Sequence, residues 1–410
     1  MKMETFLESN LKLVKEAAKL LGLSDISYIL KPKRIIEVNF PARMDDGKIK
    51  YFTGYRVNYN DSRGPAKGGV RFHPSVSFDE VSALALGMAF KTSLLRLPFG
   101  GGKGGVVVDP KAHSALELER ISRGYARALS FEFDPDLDVP APDVYTSSRE
   151  MSWILDELET IKSRHMPAVI TGKPIELSGS LGRNYSTAMG GFYILQEYIK
   201  SKGKKPEETT IAVQGAGNVG GLLAKIAYDH GYKVVAISDS SGAVYDSKGL
   251  NIEDVLNKKQ STGHLEGGKK ITNEELLQLE VDVLAPAALE NQITKENAYD
   301  IKARLVLEMA NGPVTEEASS ILYERGIDSL PDILCNAGGV VVSHFEWVQN
   351  RTGEIWSEEQ ISEKLKKSMT DAFKDVEQMK QDKGTSYKNA AYTIALKRIH
   401  EAEKLRGNAN

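Results

Sequence analysis

The sequence predicts an α/β protein of two domains, the first a mixture of strands and helices and the second built on a parallel sheet. The chain has 410 residues, and at roughly 150 residues per domain this length corresponds to two or three domains. Strand and helix patterns are mixed before residue 185. From residue 210 onward, short apolar strands alternate with helices, which is the pattern of an open parallel sheet.

Composition excludes several classes of protein. Lys and Arg number 53 and Asp and Glu 56, for a formal charge of -3, so no polybasic surface supports nucleic-acid binding as the main task. A single cysteine allows no intramolecular disulfide, and the seven histidines show no metal-binding spacing, so no metal site is expected. Lys2, Glu4 and Glu8 do not fit the apolar segment of a signal peptide. We therefore expect a cytoplasmic protein that does not enter a membrane.

The N-terminal elements follow from apolar periodicity. Apolar residues recur at helical spacing over 7–21, and the pattern stops at Gly22. Alternation over 36–40 and 49–59 predicts two strands, and the turn between them falls at the Asp-Gly pair 46–47.

Serine caps predict where the next helices begin. Ser77 and Glu80 have the spacing of a capping box, so we expect a helix that starts there and ends near Pro98. Another helix should start at Ser114. The C-terminal part is predicted to be helical, and its Lys/Glu-rich stretch 357–383 is typical of a solvated helix face.

The middle of the chain carries a glycine motif between a strand and a helix. The apolar strand 210–214 is followed by Gly215-Ala216-Gly217-Asn218-Val219-Gly220. A GxGxxG turn in this context is the fingerprint of a Rossmann-type dinucleotide-binding domain. The first glycine permits the tight turn, the second lets the backbone approach a pyrophosphate, and the third lets helix and strand pack closely. The helix N-terminus, which begins near Asn218 and Val219, supplies N–H groups and partial positive charge.

The residues after the second predicted strand bear on the choice of cofactor. Asp239 lies at the end of strand 233–237, at about the expected 20-residue distance from the glycines, where it would accept hydrogen bonds from a ribose 2′-hydroxyl. Ser240 and Ser241 beside it could accommodate a phosphate, so the cofactor is NAD or NADP. Further apolar strands are expected at 281–285 and 304–309, with a helix after Thr315.

One lysine lies inside a run of five glycines. Lys103 is the only other residue in 100–105, just before a predicted strand at 106–108. The segment is not a P-loop, because Leu97 and Gly104 occupy the places of the required glycine and hydroxyl residue. Glycines on both sides indicate backbone close to a ligand or a strand, where a dry lysine loses charge and can act as a general base. The alternative is a flexible surface loop with a solvated lysine.

Four more residues are candidates for the same site. Lys91 projects from the apolar stripe of its helix. It is either a lysine at the edge of the core whose amine reaches solvent, or a buried cation that would pair with a carboxylate. Lys67 repeats the pattern of a lysine among glycines. Asp143 follows two prolines in an extended turn, where it would be a proton carrier or a turn cap. Ser343 lies one turn into a helix that follows another glycine turn.

These segments together resemble the signature of hexameric glutamate dehydrogenases, in the Glu/Leu/Phe/Val dehydrogenase superfamily. The matching segments follow the family order along nearly the whole chain: Gly64-Pro65-Ala66-Lys67-Gly68-Gly69-Val70-Arg71, Met88-Ala89-Phe90-Lys91, 97–105, Pro140-Ala141-Pro142-Asp143, 215–220, Met309-Ala310-Asn311-Gly312-Pro313 and Asn336-Ala337-Gly338-Gly339-Val340. The resemblance implies reversible oxidative deamination of L-glutamate to 2-oxoglutarate and ammonia, with hydride transfer to NAD or NADP.

The resemblance also implies a role for each candidate residue. Lys91 would bind the α-carboxylate of the substrate, and Lys67 and Ser343 its side-chain carboxylate. Lys103 would be the general base and acid on the attacking water, and Asp143 would relay protons to and from the amino group.

The implied cofactor contacts include one departure from the family pattern. Thr187, Asn311 and Asn336 match positions near the reactive end of the cofactor. Met189 stands where the family usually has arginine, and Ser147 where an asparagine is common.

The resemblance further implies a homohexamer assembled through the N-terminal domain. We expect a substrate-binding and oligomerisation domain over 1–185, to which 386–410 return, and a dinucleotide-binding domain over 186–385. Two alternatives remain. A branched-chain or aromatic amino-acid dehydrogenase of the same superfamily would have an apolar residue in place of Lys67, so Lys67 and Ser343 favour glutamate. A non-catalytic protein on the same fold is disfavoured by the presence of Lys103 and Asp143.

Overall fold

The protein is described here by a computed structural model of residues 6–410, so Lys2 and Glu4 lie outside the described residues. Its internal contacts divide the chain into two compact units. The first unit comprises the chain up to Arg183 together with Val340–Ile361 and Tyr392–Asn410. The second comprises Asn184–Gly339 and Ser362–Ala391.

The elements of the first unit begin with five helices and five strands. The helices are α1 (Phe6–Leu21), α2 (Ser27–Leu30), α3 (Phe78–Leu94), α4 (Ala115–Ala128) and α5 (Ser148–Lys162). The strands are β1 (Arg34–Arg43), β2 (Ile49–Asn58), β3 (Ala66–Phe72), β4 (Gly100–Val106) and β5 (Asp138–Pro142). The predicted opening helix, the predicted strand pair and the helix after Ser114 are confirmed.

These five strands form one mixed sheet in the order β1-β2-β4-β3-β5. The pairs β1–β2 and β2–β4 are antiparallel, whereas β3 pairs in parallel with both β4 and β5. Central β4 is buried along its whole length. A core of Phe, Tyr, Met, Leu, Ile and Val side chains from the sheet and from α4 and α5 covers one side. Because β3 and β5 are parallel neighbours, their carboxyl ends lie at the same edge of the sheet.

The rest of the chain contributes nine helices and seven strands. The helices are α6 (Ser186–Ser201), α7 (Asn218–Asp229), α8 (Ile252–Thr262), α9 (Asn273–Leu277), α10 (Glu316–Glu324), α11 (Asp332–Cys335), α12 (Gly338–Thr352), α13 (Glu358–Lys383) and α14 (Tyr387–Leu405). The strands are β6 (Thr210–Gln214), β7 (Lys233–Asp239), β8 (Gly242–Tyr245), β9 (Lys269–Ile271), β10 (Val283–Pro286), β11 (Leu305–Leu307) and β12 (Asp328–Leu330).

The second unit is built on a seven-stranded sheet in the order β12-β11-β10-β6-β7-β8-β9. Strands β6, β7, β10, β11 and β12 are parallel, and β8 and β9 form an antiparallel edge. The order reverses at β6, which lies between β10 and β7. In open α/β sheets, ligands bind outside the carboxyl ends of the strands at such a reversal. The two-domain α/β prediction with a Rossmann-type second domain is therefore confirmed.

Several boundaries differ from those expected. Residues 340–361, assigned from sequence to the dinucleotide-binding domain, pack with the first unit. Glu346 of α12 accepts hydrogen bonds from the backbone of Gly172 and Lys173, and the Trp347 indole donates to the carbonyl of Pro135. The segment returning at the C-terminus begins at Tyr392. A sequence pattern cannot reveal these assignments, because each depends on contacts between residues far apart in the chain.

The helix predicted from Ser77 has only one of the two hydrogen bonds of a capping box. The Ser77 hydroxyl accepts from the Glu80 amide at 3.3 Å, as a capping box requires. The Glu80 carboxylate does not return to Ser77, because it accepts a hydrogen bond from Arg71. The full capping box is therefore wrong at this helix, whereas α4 and α5 each have one.

Candidate active site

The segment around Lys103 is a buried strand. Gly100–Val106 forms β4, so the alternative of a flexible surface loop is wrong, and the strand predicted at 106–108 instead begins at Gly100 and ends at Val106. A Cβ at Gly101 would lie 2.3 Å from the carbonyl oxygen of Ala85. Glycine at this position therefore lets α3 pack directly on β4.

Lys103 and Asp143 form an ion pair at the edge of this sheet. Asp143 immediately follows β5, and its Oδ1 lies 2.9 Å from Lys103 Nζ. Its Oδ2 accepts a hydrogen bond of 2.8 Å from Arg71 Nε. Burial alone would raise the pKa of Asp143, but the positive charges of Lys103 and Arg71 outweigh it and hold that pKa at about 2. The carboxylate is therefore ionised at neutral pH.

The surroundings of Lys103 lower the pKa of its amine. Burial lowers the pKa of the Lys103 amine, the Asp143 carboxylate opposes this effect, and the positive charges of Arg71 and Arg56 add to it. The side chain is buried but for a few per cent. A lysine with a lowered pKa is a better general base near neutral pH.

Lys67 is a buried amine whose partners are neutral. It lies on β3, is 1% exposed, and donates to the backbone carbonyls of Val139 and Pro140 at 3.2 and 3.5 Å. Within residues 6–410, no carboxylate comes close enough to form an ion pair with it. Burial lowers its pKa well below the ordinary value, and the charges of Arg183 and Arg56 lower it further. An anion that bound here would restore its charge.

Ser343 belongs to the same unit and lies beside a second cation. It is buried on α12, and its Oγ accepts a hydrogen bond from Arg183. One turn further along α12, Glu346 forms a fully buried ion pair of 2.6 Å with Lys173. Glu346 also raises the pKa of Arg183, which burial lowers. These contacts fix the part of α12 that carries Ser343.

Lys91 lies on α3, in its last turn, and is partly buried. Helix α3 packs on β4, the strand that carries Lys103. The five residues predicted to act on the substrate therefore all belong to the first unit. Within it the structure joins Lys103 to Asp143 and places Ser343 on Arg183.

The glycine turn after β6 has the geometry that a dinucleotide needs. Gly215 has a φ of +101°, which favours glycine. A Cβ at Gly220 would lie 1.9 Å from the carbonyl oxygen of Gly215, so the helix can approach the strand only with glycine there. Gly217 is the N-cap of α7 and no side chain caps the helix, which leaves the amides at Asn218 and Val219 available to an anion. These residues fit a pyrophosphate.

The residues after β7 form a compact acidic turn with one basic neighbour. Asp239 Oδ1 accepts from the Ser241 amide and hydroxyl at 2.8 and 2.6 Å, while Ser240 is exposed. Burial opposes ionisation of Asp239, but these two bonds and the charge of Lys259 lower its pKa. Lys259 Nζ lies 3.5 Å from Asp239 Oδ2 and donates to the carbonyl of Ala216.

The three remaining cofactor candidates lie near the start of α6 and after β11. The side-chain amide of Asn336 donates from Nδ2 to Asn311 Oδ1 at 3.0 Å and to the backbone carbonyl of Ala310. Thr187 is the second residue of α6, and its hydroxyl lies 2.8 Å from where a Cβ of Gly339 would be. All three therefore belong to the second unit with the glycine turn.

Two kinds of feature are absent from residues 6–410. No helix there combines the length and the apolar character needed to cross a membrane. No group of three or more His, Cys, Asp or Glu side chains there could hold a metal ion.

The fold and these two sites define an α/β dehydrogenase with a separate Rossmann-type dinucleotide-binding unit. The profile described as "Glutamate/Leucine/Phenylalanine/Valine dehydrogenase" matches residues 178–407, and that described as "Glu/Leu/Phe/Val dehydrogenase, dimerisation domain" matches residues 32–160. The chain belongs to this family of NAD(P)-dependent amino-acid dehydrogenases.

Individual relatives match along almost their whole length. The "NADP-specific glutamate dehydrogenase" of Synechocystis sp. is 48% identical over 97% of this chain and 96% of its own. The "NAD-specific glutamate dehydrogenase" of Staphylococcus aureus (strain COL) is also 48% identical, over 96% of both chains.

Solved structures agree with these sequence relatives. The hetero-hexameric glutamate dehydrogenase from Thermus thermophilus, in its Leu-bound form, superposes with a TM-score of 0.93 at 35% identity, covering 99% of this chain and 98% of that one. The glutamate dehydrogenase from Peptoniphilus asaccharolyticus has a TM-score of 0.88 at 42% identity, over 98% and 99%.

Three charged residues of these sites were not identified from sequence as site residues. Arg71 shares a strand face with Lys67, since the two are four residues apart, and that spacing was a usable signal. Arg183 lies just before α6, and nothing in its local sequence connects it with Ser343 on α12. Lys259 lies on α8, and nothing in its local sequence connects it with Asp239.

Proposed function

We propose that this chain is a glutamate dehydrogenase, which converts L-glutamate, water and NAD(P)+ to 2-oxoglutarate, ammonium, NAD(P)H and a proton, and catalyses the reverse reaction. The observation that carries the proposal is Lys67, an amine buried among carbonyls without a carboxylate partner. Ion pairs are the usual compensation for a buried charge. The second carboxylate of glutamate would supply that partner, whereas an aliphatic amino acid would not.

The substrate would be held by its two carboxylates. Lys67 and Ser343 would take the side-chain carboxylate, with Arg183 adding charge through its bond to Ser343. Lys91 would take the α-carboxylate. Two fixed anchors orient the Cα hydrogen and the amino group, and such orientation accounts for a large share of catalysis in many enzymes.

Lys103 and Asp143 would move the protons. Asp143, ionised at neutral pH, would accept a proton from the substrate amino group. The lone pair of the substrate nitrogen can then form the imine as hydride leaves Cα. Lys103 in its neutral form would then take a proton from the water that attacks the imine carbon. On collapse of the carbinolamine, Asp143 would return its proton to the departing nitrogen, and the hydroxyl proton would pass to the ammonia to give ammonium. Lys103 would release the proton taken from water to the solvent. The lowered pKa of Lys103 supports this assignment.

The dinucleotide would bind to the second unit and accept the hydride. Gly215, Gly217 and Gly220, with the amides at the start of α7, would hold the pyrophosphate. Asp239 would hold the adenosine ribose, and Thr187, Asn311 and Asn336 would contact the nicotinamide end. Relatives of equal identity are named NAD-specific and NADP-specific, so both cofactors belong in the assay.

The assembly and location proposed here go with this function. We propose a homohexamer, supported by the hexameric relative of TM-score 0.93, and a cytoplasmic location. Light scattering on the purified protein should give six times the mass of one chain, and fractionation of the native cells should place it with the cytosol.

The test is the change in absorbance of the reduced nicotinamide with several amino acids. Glutamate should be oxidised with NAD+ or NADP+ at a kcat/KM far above those of norvaline, leucine and phenylalanine. Higher activity on any of these three would replace glutamate as the substrate, and a folded protein inactive with all four would contradict the proposal.

Lys67→Leu sharpens that test, because it removes the charge and keeps an apolar side chain of moderate size. The kcat/KM for glutamate should fall about 100-fold or more, the scale expected for losing a buried ionic contact, while that for norvaline stays within about threefold. Equal losses on both substrates would mean that Lys67 supports the fold and not the side-chain carboxylate.

A further inference from the structure

Arg71 connects Asp143 to a second carboxylate. Its Nε donates to Asp143 Oδ2 at 2.8 Å, and its Nη1 donates to Oε1 of Glu80. The planar guanidinium is therefore held at both ends in one orientation. Since Asp143 Oδ1 faces Lys103, the two oxygens of Asp143 are divided between two cations.

Glu80 is directed to this contact at the expense of its helix cap. The Glu80 carboxylate accepts a hydrogen bond from Arg71 in place of the Ser77 amide. The Glu80 backbone amide still donates to the Ser77 hydroxyl, which is the other half of a capping box. Its Oε2 is buried without a hydrogen-bond partner. An unsatisfied buried carboxylate oxygen is costly, so the contact with Arg71 compensates for both losses.

We propose that Arg71 and Glu80 are positioning residues that orient Asp143 and tune the charge of the Lys103–Asp143 pair. The inference rests on the proposed function, in which that pair moves the protons. Arg71 stabilises the Asp143 carboxylate and disfavours a second cation at Lys103. Glu80 contacts Arg71 at Nη1, whereas Asp143 contacts Nε. The negative charge of Glu80 partly neutralises Arg71 and so weakens the effect of Arg71 on both Asp143 and Lys103.

Other charges face the pair, and they differ from Arg71 in how they are compensated. Arg56 on β2 also lowers the pKa of Lys103, but it forms a fully buried ion pair with Asp138 on β5. Lys67 lies on the same strand as Arg71, and Lys91 on the same helix as Glu80. Arg71 and Lys103 each bond one oxygen of Asp143.

The geometry gives opposite signs for two neutral substitutions. Arg71→Gln removes a cation, so the pKa values of both Asp143 and Lys103 should rise. Glu80→Gln keeps an oxygen that can accept from Arg71 but removes the negative charge. Arg71 then acts at full strength, and both pKa values should fall.

The first measurement is the pH profile of kcat/KM for glutamate, whose acid limb reports the base of the free enzyme. Because Lys103 must be neutral to act, the limb should move about one pH unit higher in Arg71→Gln and about half a unit lower in Glu80→Gln. Arg71→Lys, which retains the charge without the fork, should leave the limb in place and lower kcat.

The second measurement does not depend on turnover. The protein is labelled with a trace of acetic anhydride over a range of pH, and the modified Lys103 peptide is counted by mass spectrometry. Its titration midpoint should shift with the same two signs. This readout separates the two proposals, because it remains valid even if the protein does not oxidise glutamate.

Shifts of the same sign in Arg71→Gln and Glu80→Gln, or no shift in either measurement with both variants folded, would overturn the inference. Such a result would assign the two residues to the packing of α3 alone. If Arg71→Gln does not fold, Glu80→Gln decides by itself, since a downward shift is expected only if Glu80 acts on the pair through Arg71.

Discussion

The two units of this protein offer anions two different kinds of site. In the first unit the site is made of side chains: Lys67, Lys103 and Arg71 extend from two buried strands whose glycines leave room for them. In the second unit the part that fits a pyrophosphate is made of backbone, from the turn at Gly215 to the uncapped start of α7. Both use glycine, in one case to admit charged side chains and in the other to expose amides.

The difference between the two sites is one of protonation. Backbone amides do not titrate, so the glycine turn should bind a dinucleotide over a broad range of pH. Buried lysines lose charge readily, and the lowered pKa values of Lys67 and Lys103 are the result. The proposed proton transfers therefore belong to the first unit, and the role proposed for the second unit is to hold the dinucleotide.

The largest expected effect is a loss of kcat at the substrate site without a change in nucleotide affinity. Lys103→Met should lower kcat roughly 10³-fold or more, since it removes the proposed proton-transfer group. The Kd for NADH or NADPH, measured by nucleotide fluorescence, should stay within twofold. Lys50→Met on the adjacent strand β2 changes an exposed lysine and is the control. A similar kcat for the two variants would remove Lys103 from the mechanism.

The glycine turn should respond in the opposite way. Gly220→Ala places a Cβ 1.9 Å from the carbonyl oxygen of Gly215, so strand and helix must separate, and nucleotide affinity should fall on the order of 100-fold, about 2.7 kcal/mol. The matched control is Gly221→Ala, whose Cβ has no neighbour closer than 3.6 Å. It should bind normally and be up to about 1 kcal/mol more stable. Equal affinities in the two variants would contradict the close packing.

The smallest effect concerns the acidic turn at Asp239, which is proposed to hold the adenosine ribose. Asp239→Ser should lower kcat/KM with NAD+ about tenfold, the value of one hydrogen-bonding contact to a ribose hydroxyl, and leave the value with NADP+ unchanged or higher. Lys259→Met, which removes the neighbouring cation, should instead reduce the use of NADP+. The ratio of kcat/KM for the two cofactors checks both variants, and an unchanged ratio in both would exclude this turn from cofactor choice.

Local patterns were sufficient for part of the structure. The strand–glycine–helix order around 215–220 and the helix caps at Ser114 and Thr315 follow from residues within one turn of each other. For the same reason the strand pair β1–β2 was predictable from alternation and from the Asp-Gly pair between the two strands. Each of these is decided by backbone conformations that neighbours in the chain impose.

Other features depended on residues that are distant in the chain. The segment 100–105 lacks apolar alternation, so no strand was predicted there, but pairing with β2 and β3 makes it a central strand. Glu80 fitted a capping box until Arg71 competed for its carboxylate. Helix α12 was assigned to the wrong side of a domain boundary, because its anchors at Gly172 and Lys173 lie far away in sequence.

The sequence by itself determined the glycine turn, the order of strands and helices and the residue types of a dicarboxylate site, since these are local or are carried by motifs. Only the tertiary structure decided which charges meet: Lys103 with Asp143, Arg71 between two carboxylates, and Lys67 with carbonyls alone. The physical reason is that backbone conformation depends on near neighbours. The pKa of a buried group depends instead on every charge within several ångströms, whichever part of the chain supplies it.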